Sequence, residues 1–129
     1  MKVDQMDVMW LAGYLEGEGT FHAAGSKRDD GMYPTLCIQV TSTDLDVLQR
    51  VGRMIEREAN AVKSYQYEKS IKSSNLKQQY RVRVYGHDAL QLMSILHPLM
   101  GERRQDQIKQ ALNLCYRLSD LAKELAPSR

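Results

Sequence analysis

The segment from Asp4 to Gly17 constrains this chain more than any other, because it reads as one helix with two apolar faces. At about 100° per residue, Val8, Leu11, Ala12 and Leu15 fall on one side. Met6, Met9, Trp10, Gly13 and Gly17 fall on nearly the opposite side, with Asp7 and Glu16 on the flanks. A surface helix needs one apolar stripe, so two opposed stripes require two packing partners. Gly13 and Gly17 share the second face, and a Gly inside a helix costs about 1 kcal/mol relative to Ala. That cost makes sense where another backbone comes very close. The plainer alternative is that both glycines pack on the chain's own sheet. A monomer would then expose Met6 and Trp10 as an apolar patch needing its own explanation.

Beyond Gly19, which suits a left-handed helix cap, the apolar period changes to two. Phe21, Ala23 and Gly25 alternate with His22, Ala24 and Ser26, and Asp29-Asp30-Gly31 supplies a turn. From Tyr33 to Ser42, Leu36, Ile38 and Val40 face one way, while Thr35, Cys37, Gln39 and Thr41 face the other. A helix capped by Thr43 follows, with Leu45, Leu48, Val51, Ile55 and Ala59 inward. A second hairpin opens with Val62, Tyr65 and Tyr67, turns between Lys69 and Lys77, and closes along Tyr80 to Tyr85. His87 or Asp88 caps a third helix, carrying Ala89, Leu92, Met93, Leu96 and Leu99. A fourth runs from about Glu102 to Leu125, with Ile108, Ala111, Leu112, Cys115, Leu118, Ala122 and Leu125 inward. The order α-β-β-α-β-β-α-α predicts an α+β fold with a four-stranded antiparallel sheet, one face of it open.

With 129 residues, 43% of them hydrophobic, the chain can bury one core, and residues 1–129 read as a single domain. No apolar run is long enough for a membrane span, and the acidic N-terminus MKVDQMDVMW does not resemble a signal peptide. Cys37 and Cys115 lack metal or redox spacing and read as buried thiols, so a soluble intracellular protein is expected. The formal charge is only +2, yet between Ala61 and Tyr85 six cations (Lys63, Lys69, Lys72, Lys77, Arg81, Arg83) stand against Glu68 alone. Such a local excess is the footprint of a polyanion partner, although a charge run is more often a solvated face.

The stretch Leu11-Ala12-Gly13-Tyr14-Leu15-Glu16-Gly17-Glu18-Gly19 resembles the signature nonapeptide of the LAGLIDADG homing endonucleases. It matches at Leu, Ala, Gly, the apolar fifth position, both acids and the final Gly. The motif occurs once, as in the single-motif, homodimeric branch. Gln39-Val40-Thr41 and Pro98-Leu99-Met100-Gly101-Glu102-Arg103-Arg104 add local similarity, and the element order matches the family's αββαββα core with an extra C-terminal helix.

The resemblance implies a site-specific DNA endonuclease that cuts both strands of a long pseudo-palindromic site across the minor groove, leaving short 3′ overhangs. Its partners would be double-stranded DNA and a second copy of itself, with neither membrane nor small-molecule cofactor. It also implies Mg²⁺, with Mn²⁺ or Ca²⁺ as other occupants of the site. Glu18 takes the place of the metal-binding acid, and the Gly17 carbonyl that of a backbone ligand. Glu16 matches a structural acid. Where some members carry a Gln after the second strand and a Lys after the third helix, this chain holds Ser42 and Arg103, with Arg104 the alternative in the adjacent register. Arg103 stays charged and cannot act as a base. Independently, carboxylates at a helix C-terminus are disfavoured by about 0.3–1 kcal/mol each, which a bound cation reverses.

On the open face of the saddle, the expected base and phosphate contacts are His22, Ser26, Lys27, Arg28, Tyr33, Thr35, Gln39, Thr41, Ser64, Gln66, Arg81 and Arg83. Met6, Trp10, Gly13 and Gly17 form the expected dimer interface. Two other readings stand beside this one. One is a non-cleaving member of the same fold, a maturase or regulator; the other is an unrelated αβ domain that dimerises through its glycines.

Overall fold

The computed structural model describes residues 3–25, 34–63 and 77–115. In chain order these form α1 (Gln5–Glu18), β1 (Gly19–Ala24), β2 (Thr35–Ser42), α2 (Leu45–Ile55), β3 (Asn60–Ala61), β4 (Tyr80–Tyr85), α3 (Gly86–Leu96) and α4 (Glu102–Cys115), with a 3-10 turn at His97–Leu99. The strands make one four-stranded antiparallel sheet in the order β1-β2-β4-β3, an α+β architecture as the alternating periods predict. In the outer pair, Asn60 lies opposite Arg81 and Ala61 opposite Tyr80. One further bond, from the Val62 N–H to the Gln79 carbonyl at 2.9 Å, continues that pairing.

The chain gathers into two compact units. The first comprises α1, the end of β2, α2, β3 and most of β4. Leu11, Ala12, Leu15, Val40, Leu48, Val51, Ile55 and Val82 are its buried apolar side chains. The second comprises β1 from Thr20, the start of β2, the last residues of β4, α3 and α4. There Phe21, Leu36, Cys37, Ile38, Val84, Ala89, Leu92, Met93, Leu96, Met100, Ile108, Ala111 and Cys115 are buried. Each fully buried Leu, Ile or Met contributes about 1.5–3 kcal/mol relative to exposure, so the two sets supply most of the driving force. The Gln105 amide donates to the His97 carbonyl at 2.9 Å and ties the start of α4 to the 3-10 turn.

Several local expectations change. Gly19 is no left-handed cap: its φ of −83° and ψ of 159° are extended, and its N–H bonds to the Leu15 carbonyl. Glycine is needed there for space, since a Cβ would lie 2.8 Å from that same carbonyl oxygen. Thr43 does not cap α2; Asp44 is the N-cap residue, with no side-chain capping bond, and its own N–H donates to the Ser42 hydroxyl at 3.0 Å. Helix α2 stops at Ile55, leaving Ala59 outside it. The stop is made by Glu56 in the left-handed region (φ 56°), which lets the Arg57 N–H reach the Gly52 carbonyl at 2.9 Å. A Cβ on Gly52 would collide with the Arg57 carbonyl oxygen.

Helix α3 begins at Gly86, one residue before the expected caps, because Gly86 accepts the positive φ of 66° at the strand-to-helix corner. The strand opposite Tyr80 begins at Asn60, ahead of Val62. Cys37 sits on the outward phase of β2 yet is buried, on a strand flanked by two others. Both cysteines are free and buried. The predicted continuation of α4 beyond Cys115, and Tyr65 and Tyr67, lie outside the described residues.

Gly19→Ala and Gly52→Ala should each lower stability by about 1–3 kcal/mol, since an added methyl meets backbone that must shift. Urea denaturation of the two variants checks this; a midpoint equal to wild type would refute the close approach.

Candidate functional site

The end of α1 is set by the same contacts that make it a helix. Leu11, Ala12 and Leu15 are buried, which fixes the rotation of the helix. Gly13, Gly17 and Glu18 are therefore exposed, together with Met6 at 79% and Met9 at 58% of their full areas. A Cβ built on Gly13 or Gly17 would have nothing within 4 Å among the described residues. The packing of the described residues thus places no demand for glycine at either position. Trp10 is half-buried: its ring stacks on Tyr14 with centroids 5.2 Å apart and planes 13° from parallel, and the Arg50 guanidinium lies 4.1 Å from its centre. Such a cation–π contact contributes about 0.5–1 kcal/mol and ties α2 to α1.

Glu18 is the last residue of α1, and the last turn holds no basic side chain. Ser42, one of the expected site residues, is brought to this helix end, because its hydroxyl hydrogen-bonds Tyr14. Burial raises the Tyr14 phenol above its usual pKa, and the negative charges of Glu18 and Asp44 add to the rise; the Ser42 hydrogen bond opposes it. Tyr14 and Asp44 are the partners of Ser42 here, and the motif alone does not single them out. Tyr14 could have been found from its i,i+4 spacing to Glu18, and Asp44 from its place two residues after Ser42.

Glu18 and Asp44 are carboxylates, the oxygen donors that a hard cation such as Mg²⁺ prefers. Among the described residues, no group of three His, Cys, Asp or Glu side chains could by itself hold a metal ion.

The two arginines after α3 differ sharply. Arg104 is buried and donates from Nη1 to the Gln107 side-chain oxygen at 3.0 Å, whereas Arg103 is exposed on the first turn of α4. Arg103 is thus the one whose charge faces solvent. On the strands, Arg81 and Arg83 alternate with buried Val82 and Val84, as the period-two pattern predicts. Arg83 and Thr35 are exposed, while Gln39, Thr41, Arg81 and His22 are half-buried. Among the described residues, the buried Nδ1 of His22 has no hydrogen-bond partner, and leaving such an atom unpaired costs about 1–3 kcal/mol. Ser26, Lys27, Arg28, Tyr33, Ser64 and Gln66 lie outside the described residues.

A helix with an open glycine face, ending in an acid where a sheet begins, is the hallmark of one class of domain. Residues 5–93 match the LAGLIDADG-like domain family, and the chain belongs to that family. Its fold is that of homing endonucleases. The structure of I-CvuI on a DNA target in 2 mM Mg with the DNA uncleaved is 20% identical, with a TM-score of 0.60 over 90% of this chain and 69% of that one. The group I intron-encoded I-CeuI in complex with DNA is 12% identical at TM-score 0.60, covering 97% of this chain and 61% of that one. The archaeal intron-encoded I-Vdi141I, also complexed with DNA, is 14% identical at TM-score 0.54, covering 96% and 87%. No curated protein sequence matches the chain significantly.

The raised Tyr14 pKa carries a sign for stability. The unfolded phenol ionises near its ordinary value while the folded one resists, so the fold binds more protons above about pH 10. Stability contributed by neutral Tyr14 is present below that pH and is lost as pH rises through the folded pKa. Denaturation of wild type and Tyr14→Phe from pH 8 to 11 should show the steeper alkaline loss in wild type; parallel curves would contradict it.

Proposed function

We propose that this chain is a homodimeric, Mg²⁺-dependent homing endonuclease that makes a double-strand cut in a long pseudo-palindromic DNA site. The observation that carries this reading is the pairing of an exposed Glu18 with an open glycine face on one helix. Two copies of α1 laid face to face through Gly13 and Gly17, with Met6 and the half-buried Trp10 alongside, bury apolar surface that one copy leaves in water, Met6 and Met9 above all. The twofold axis then brings two Glu18 carboxylates together, and a twofold protein reads a twofold target.

Glu18 and the Gly17 carbonyl would hold Mg²⁺, with oxygens of the DNA and the second copy completing the set that one chain leaves short. The bound ion supplies activation of water for in-line attack and charge stabilisation on the leaving oxygen. Ser42 orders water beside Glu18, and Arg103 neutralises charge on the phosphate without taking a proton. His22, Thr35, Gln39, Thr41, Arg81 and Arg83 are the proposed base and phosphate contacts among the described residues. In this reading Ser26, Lys27, Arg28, Tyr33, Ser64 and Gln66 extend that surface. No helix among the described residues is long and apolar enough to cross a membrane, and a DNA substrate places the protein inside the cell as a soluble enzyme.

Cleavage of a randomised plasmid library with Mg²⁺, comparing wild type with Glu18→Gln, tests the reading. Wild type should yield discrete double-strand ends converging on one near-palindrome, and Glu18→Gln none, with its DNA affinity within about threefold. Binding without cutting by both proteins would instead identify a maturase or regulator. Gly13→Leu should turn a dimer into a monomer by light scattering and remove cleavage. The monomer's folding should not suffer, because nothing lies within 4 Å of the new side chain's first atom. A Gly13→Leu protein that stays dimeric would sink the proposed interface.

A further inference from the structure

The methionines among the described residues fall into two groups. Met93 and Met100 are buried, at 1% and 6% exposure, and Met54 is half-buried. Met6 and Met9 instead stand 79% and 58% exposed on α1. Met6 lies two helical turns before Gly13 and Met9 one turn before it, so the three share one side of the helix. Burial of Leu11, Ala12 and Leu15 turns that side away from the chain's own core. Both exposed methionines are therefore open to solvent on the face that the proposed dimer covers.

A thioether open to solvent is a target for peroxides. The sulfur attacks one peroxide oxygen, an S–O bond forms as the O–O bond breaks, and the other oxygen leaves with both protons as water. Sulfur gives up an electron pair and the peroxide takes it. The product replaces a pliable apolar side chain with a polar sulfoxide, and thiol-dependent reductases reverse the change. Two helices that approach through glycines leave little room for the water such an oxygen needs, and burying it unpaired is unfavourable.

Resting on the dimer of the proposed function, we infer that Met6 and Met9 are an oxidative modification site: a hydroperoxide converts their thioethers to sulfoxides on the free chain, and the modified face no longer pairs with a second copy. The paired state protects the same sulfurs, so oxidation and assembly compete for one surface. An unpaired polar group buried in an interface weakens it about tenfold. The twofold axis places each sulfoxide in the interface twice, so oxidation of Met6 alone should raise the dimer dissociation constant about a hundredfold.

The test treats wild type and the double variant Met6→Leu/Met9→Leu with hydrogen peroxide. Peptide mass spectrometry maps the sulfoxides, and analytical ultracentrifugation gives each protein's dimer dissociation constant before and after treatment. Met6 and Met9 should oxidise ahead of Met93 and Met100, and more slowly as the protein is concentrated into dimer. The wild-type constant should rise by the factor above with helical content unchanged, then return to its starting value after methionine sulfoxide reductases and dithiothreitol. The constant of the double variant should not change on peroxide treatment, because leucine has no sulfur to oxidise. If that variant does not dimerise, recovery of wild type by the reductases decides, since they act on methionine sulfoxide alone. Oxidation of Met93 as early as Met6 would overturn the inference, as would an unchanged constant with both sulfoxides in place. A double variant weakened as much as wild type would do the same, and each of these results leaves the dimer standing. Unoxidised wild type that sediments as a monomer at every concentration would instead fail the dimer itself, and the inference with it.

Discussion

The proposed site hangs on the rotation of one helix. Burial of Leu11, Ala12 and Leu15 turns α1 so that Gly13, Gly17 and Glu18 point into open space. Three buried apolar groups provide several kcal/mol to hold that rotation, more than the cost of about 1 kcal/mol for each interior glycine. The helix can therefore carry two residues that weaken it, and their benefit must lie outside the single chain. A methyl group at either position would meet nothing among the described residues, so their packing gives no reason for glycine there.

The end of the helix is fixed as firmly as its rotation. Gly19 passes directly from helix to extended strand, its N–H on the Leu15 carbonyl and its α-carbon too near that oxygen for a side chain. Glu18 thus has no residue of slack between helix and sheet. On the flank, Arg50, Trp10, Tyr14 and Ser42 form a continuous line of contacts from α2 through α1 to the end of β2. The Ser42 hydroxyl serves twice, accepting from the Asp44 backbone at the start of α2 and bonding Tyr14 on α1.

Periodicity made much of this legible in advance. The two faces of α1 and the alternation of Val82 and Val84 with Arg81 and Arg83 both follow from residue spacing, and both are observed. What spacing cannot tell is why a glycine is present. Gly19 and Gly86 look alike in sequence, yet one answers a steric demand in extended backbone and the other a positive φ. The end of α2 was hidden for a related reason: the left-handed residue is Glu56, a type that gives no signal, while the indispensable glycine is Gly52, a turn earlier. The Tyr14–Ser42 bond joins a helix to a strand end 28 residues later, and no local pattern encodes such a meeting. Arg103 and Arg104 differ by a single residue of register, and the structure separates them in exposure, the first open to solvent and the second buried.

The two carboxylates acting on Tyr14 are not equivalent, and helix electrostatics separates their roles. Asp44 stands at the N-cap of α2, where the helix dipole favours negative charge by about 0.3–1 kcal/mol. Glu18 stands at the C-terminal end of α1, where the same dipole opposes it and no basic residue of the last turn compensates. Asp44 is at ease in the isolated chain; Glu18 is left at an electrostatic disadvantage that only a cation or a donor from elsewhere removes. An acid kept at the wrong end of a helix and exposed there is arranged to gain from binding. That asymmetry, more than the presence of two acids, is what makes Glu18 the residue around which a metal site would form.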